Sequence, residues 1–101
     1  MKMLVHVKLP LEPFNAMVKN GSVGKTIGRI LDEIKPDAVY FTEYRGRRGA
    51  IMIVDVPDPS KVPAVSEPWF LAFNADVHFY IVMSPDDLQR AGLDALGKKW
   101  G

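Results

Sequence analysis

Met3-Leu4-Val5-His6-Val7-Lys8-Leu9 is the segment from which the fold can be read. Side chains of an extended chain alternate between two faces, so Met3, Val5, Val7 and Leu9 share one side, and Leu4, His6 and Lys8 the other. The first face is purely apolar and belongs against a core. The second mixes apolar and titratable groups. Pro10 ends the strand by removing a backbone donor.

From Leu11 to Ile34 the apolar period lengthens to that of a helix. Phe14, Met17 and Val18 form one stripe, and Ile27, Ile30, Leu31 and Ile34 a second, out of phase by about two residues. Asn20-Gly21-Ser22 lies between them. Gly21 suits the position after a helix and Ser22 the position before one, so a broken or kinked pair is expected, ending at Pro36. Asp37 to Glu43 reads as a second strand, Arg45-Gly-Arg-Arg-Gly49 as a turn, and Ala50 to Val56 as a third strand in an antiparallel hairpin. Asp58 and Pro59 open a helical stretch that Pro63 and Pro68 should divide into two short pieces reaching Phe73. Ala75 to Met83 alternates again: Val77, Phe79, Ile81 and Met83 on one side, His78, Tyr80 and Val82 on the other. Ser84-Pro-Asp-Asp87 starts a C-terminal helix over 84–97, with the last residues frayed.

The order β-α-β-β-α-β plus a terminal helix is α+β and ferredoxin-like, with helices on one face of a four-stranded antiparallel sheet. Strand parity puts Leu4, His6, Lys8, Tyr40, Thr42, Tyr44, His78, Tyr80 and Val82 on the other face. That mixture is too apolar to stay in water as one patch, so a second subunit or a ligand should cover it.

Composition sets the outer limits. A chain of 101 residues that is 48% hydrophobic forms one domain, 1–101, with one core. A net charge of +1 gives no bulk attraction to nucleic acid or to an anionic membrane. The absence of cysteine excludes a disulfide scaffold, a thiolate nucleophile and a thiolate metal site. The first residues lack the unbroken apolar stretch of a signal peptide, and no apolar run approaches the ~20 residues that span a bilayer. A cytoplasmic location is the expectation.

The opening Met3–Leu9, the hairpin Tyr44-Arg-Gly-Arg-Arg-Gly-Ala-Ile-Met-Ile-Val-Asp-Val56 and the strand leading into Met83-Ser-Pro-Asp-Asp87 resemble the dimeric α+β-barrel superfamily. Within it, the start is similar to the muconolactone isomerase family, and the whole length to small bacterial members with no assigned activity. The resemblance implies a homodimer that pairs two sheets face to face and holds a small, often aromatic, ligand between sheet and helices. It also implies chemistry that in many members needs no cofactor.

Each candidate site has a plain structural counterpart. Gly21-Ser-Val-Gly-Lys-Thr26 lacks the first glycine of a phosphate-binding loop, since Lys19 stands there, and reads as a helix break. Arg48-Gly49 opens a strand as in an RNA-recognition module, but Ala50 and Met52 replace the stacking aromatics. Arg45, Arg47 and Arg48 are either a solvated turn or an anion clamp, with Arg48, beside the strand, favoured for the clamp. His6 and His78 are the only histidines, and imidazole is the side chain poised for proton transfer near neutral pH. They are either an acid/base pair or hydrogen-bonded interface residues. As metal ligands they would need Asp76 or Glu43, which parity and a strand end disfavour. Trp69, Phe70 and Phe73 are core, or a pocket wall. Ser60 and Ser66 lack the neighbours of a hydrolase nucleophile.

The functional expectation is a homodimer whose sheet-face cleft binds a small acid and isomerises or oxygenates it without a cofactor. His6 or His78 would be catalytic, and Tyr40, Arg48 and Tyr80 would bind substrate. The alternative is a non-enzymatic dimeric ligand-binding or interaction module.

Overall fold

The computed structural model describes residues 1–101. Four strands, β1 (Lys2–Leu9), β2 (Ala38–Tyr44), β3 (Arg47–Asp55) and β4 (Asp76–Ile81), form one antiparallel sheet in the order β2-β3-β1-β4. Five helices complete an α+β chain: α1 (Phe14–Asn20), α2 (Val23–Ile34), α3 (Val62–Phe73), α4 (Pro85–Arg90) and α5 (Leu93–Trp100). No helix is long and apolar enough to cross a membrane.

The core forms where strand alternation meets helix periodicity. Met3, Val5, Val7 and Leu9 of β1 and Ala50, Met52 and Val54 of β3 are buried beneath Ile30 of α2 and Val65, Trp69 and Phe73 of α3. Trp69 and Phe73 stack with centroids 6.0 Å apart and admit no solvent. The break between α1 and α2 falls at Gly21, whose φ of 80° closes α1 through bonds from its own and the following amide.

Local chemistry changes three boundaries from those expected. The β2–β3 turn is two residues long, Arg45-Gly46, both with positive φ, as a type I′ hairpin requires. Arg47 and Arg48 therefore belong to β3 and point to opposite faces. The second helical stretch is not divided at its prolines. A 3-10 turn at Pro59–Lys61, capped by Asp58, leads into a continuous α3 that carries Pro68 in its interior. Burial of Trp69 and Phe73 on the same helix outweighs the one hydrogen bond that Pro68 forgoes.

The C-terminal helix expected over 84–97 is two helices. Gly92 adopts φ 72° and separates them, and the second continues to Trp100 rather than fraying. Asp94 in its first turn and Lys98 and Lys99 in its last oppose the helix dipole favourably. Neither α4 nor α5 buries a residue. No hydrogen bond or ion pair joins Ser84–Gly101 to the rest of the chain. The molecule is consequently 60 Å long with a radius of gyration of 17.1 Å, against about 13 Å for a compact chain of this length. Ile81 and Met83, expected under the helices, are exposed because the helical layer ends before them.

Replacing Trp69 by Ala should destabilise the fold by about 3–5 kcal/mol in urea unfolding. Trp69→Phe should cost the smaller share, since the indole N–H is buried without an acceptor. A Trp69→Ala loss below about 1 kcal/mol would show that the core is not centred there.

Candidate functional site

Register fixes the neighbours on the uncovered face. His6 stands directly opposite His78 on β4 and Ile51 on β3, and Ile51 stands opposite Tyr40 on β2. The next row is Tyr80, Leu4, Ile53 and Ala38; the row on the other side is Asp76, Lys8, Gly49 and Thr42. Directly paired residues have Cβ atoms about 4.5–5.5 Å apart, so the two imidazoles are within reach of one small molecule.

Gly49 borders the seat of His6. A Cβ at that position would lie 3.1 Å from the Val7 carbonyl oxygen and 3.5 Å from His6 Nε2. The tight approach is to the Val7 carbonyl; at His6 a Cβ would only make van der Waals contact, and the imidazole lies beside β3 with the Tyr44 ring meeting it edge-on at 5.2 Å and 90°. His6 Nε2 is thereby buried and has no hydrogen-bond partner. Desolvation, followed by the charge of Lys8 and the influence of His78, pushes its pKa below the ordinary histidine value. His6 is therefore a neutral base at pH 7, with a nitrogen left unsatisfied by the protein.

A basic rim lies at one end of this face. Lys8 and Arg45 sit over the Tyr44 ring at 5.0 and 5.4 Å from its centroid. With Arg47, Arg48, Asn74 and Asp76 they border a cavity of about 340 Å³ that lies beyond the histidine row, at the end of the sheet. The ion pairs of the chain join Met1 to Asp55, Lys2 to Asp37 and Arg90 to Asp87, so Lys8, Arg45 and Arg47 are all without a carboxylate partner. An organic acid would supply one.

Of the five residues singled out from sequence, four share this face: His6, His78, Tyr40 and Tyr80. The histidines are adjacent, whereas Tyr40 and Tyr80 are exposed to its two sides. Arg48 leaves the histidine face by strand alternation, although it still borders the cationic cavity at the end of the sheet. It points to the helical side, donates from Nη1 to Asn15 Oδ1 at 2.7 Å and lies 4.4 Å over the Phe14 ring, fastening α1 to the sheet. The alternation of β3 places it there. Sequence parity already put Lys8 and Tyr44 on this face and named Arg45 as a clamp candidate; Gly49 is the residue it did not single out. A two-residue reading of Arg45-Gly46 as the turn would have found Arg47 on the histidine side. Trp69 and Phe73 are core, with Phe70 partly exposed beside them. No three His, Asp or Glu side chains gather where they could hold a metal ion.

No protein-family model and no curated protein sequence matches the chain.

The lowered His6 pKa has a definite sign. Below the ordinary value of 6.5 the unfolded chain binds a proton at His6 that the folded chain refuses. Stability should fall as the pH drops from 6.5 to the folded-state pKa, and that contribution should vanish in His6→Gln. An NMR titration should place the His6 midpoint under 6.5; a midpoint at or above it would contradict the buried, unpartnered seat.

Proposed function

We propose that the chain is a ferredoxin-like protein of the dimeric α+β-barrel kind, whose open sheet face binds a small organic acid beneath a second copy. The observation that carries this reading is the unsatisfied Nε2 of His6, set opposite His78, in a row with Ile51 and Tyr40 and next to the row whose Lys8 borders the cationic cavity. Exposed Tyr40, Ile51 and Tyr80 give that face the apolar surface that a second subunit or an aromatic ring would cover. The carboxylate would meet Lys8, Arg45 and Arg47 at the rim, and the carbon skeleton would lie over the histidine pair.

The chemistry best suited to the pair is cofactor-free isomerisation of an unsaturated acid. Neutral His6 takes a proton from one carbon, and the proton returns to another carbon of the same conjugated system from His6 or His78, so neither an oxidant nor a second substrate is consumed. Isomerisation is preferred over oxygenation because the latter needs dioxygen as well. A second reading, a non-enzymatic interaction module, is favoured by the 71% exposure of Tyr40, which suits a dry contact with another protein.

Titrating benzoate and muconate into the ¹⁵N-labelled chain tests the ligand. The His6 and His78 resonances should shift together, and Arg45→Ala/Arg47→Ala should weaken binding by about tenfold or more. Arg48→Ala should lower stability, since it holds α1, and should weaken binding less than the Arg45/Arg47 pair because its guanidinium already donates to Asn15. Absence of any shift at millimolar acid would remove the ligand reading and leave the interaction module.

A further inference from the structure

We propose that Ser84–Gly101 is an arm that clasps the copy of this chain covering the open face. The proposal takes the second copy from the preceding reading, but not its ligand. The first observation is energetic. Isolated helices shorter than about 12–15 residues are marginal in water, yet α4 has six residues and α5 eight. Neither gains support from burial, hydrogen bonds or ion pairs with the rest of its own chain. Their support must come from another molecule.

The second observation is the chemistry of the arm. Leu93, Leu96 and Trp100 recur at i, i+3 and i+7, one stripe of α5, while Asp94, Lys98 and Lys99 occupy the remainder. Trp100 is 77% exposed and Leu93 56%, a costly arrangement for a stripe with no other use.

The third observation is area. A compact monomer of 11.3 kDa exposes about 5,700 Å², whereas this chain exposes 7183 Å². The surplus, about 1,500 Å², exceeds the ~800 Å² that each partner contributes to a stable interface of ordinary size. Exposed apolar side chains of both the open face (Tyr40, Ile51, Tyr80) and the arm (Leu93, Leu96, Trp100) contribute to it, and a symmetric pair can bury both by reciprocal exchange. The starting point of the arm agrees. Lys2 and Ile53, on the open side of the sheet by parity, border one depression with Val82, Met83, Ser84 and Asp87, so the base of the arm reaches that side. A copy stacked on the open face would lie beside it.

Hydrogen exchange and sedimentation velocity on the full chain, over a dilution series, test the clasp. Peptides from 84–101 should be protected at concentrations where the chain sediments as a dimer and lose protection on dilution to monomer. Leu93→Asp/Leu96→Asp should raise the dimer Kd at least tenfold while retaining the sheet, since neither residue is in the core. A dimer whose arm exchanges freely would overturn the clasp alone and leave the sheet-face pairing standing. An arm equally protected in the monomer would overturn it as well, and a chain that is monomeric throughout would overturn both.

Discussion

A four-stranded sheet has two faces, and this chain has helices enough for only one. α2 and α3 cover the side carrying Met3, Val5, Val7 and Leu9, where Trp69 and Phe73 fill the core completely. No element returns to the other side, since the final eighteen residues run outward. Everything distinctive about the molecule follows from that shortage. The uncovered face retains Tyr40, Ile51 and Tyr80, and among them the only two histidines.

The histidine seat combines burial with a missing partner. With only a glycine at position 49 facing it and the Tyr44 ring edge-on, the imidazole lies against the strand and its Nε2 is buried without a partner. Desolvation keeps it neutral, and its neighbours Lys8 and His78 reinforce that state. A neutral imidazole with a free nitrogen beside unpaired cations is an arrangement that a bound acid would complete. If the face instead meets only protein, the same nitrogen must find a hydrogen-bond partner there.

Much of the fold was legible because alternation and helix periodicity are local signals. The faces of β1, the Gly21 break and the Ser84 capping box all follow from neighbouring residues. What escaped depended on geometry across the chain or on a single φ. Arg48 read as an anion contact because the turn was taken as five residues; with two, alternation sends it to α1. Pro68 argued for a broken helix, but core burial by Trp69 overrides a local preference. Gly92 was read through as helix, and the isolation of α4 and α5 could not be seen at all, since sequence periodicity says that a face is apolar and not what it meets.

The central claim is that a second copy closes the open face. Intermolecular NOEs in a mixed sample of ¹³C-labelled and unlabelled chains test it most directly. The account predicts contacts from Tyr40, Ile51 and Tyr80 of one copy to the same face of the other at micromolar concentration. A sample showing no such contacts, with the scattering mass of a single 11.3 kDa chain, would contradict it.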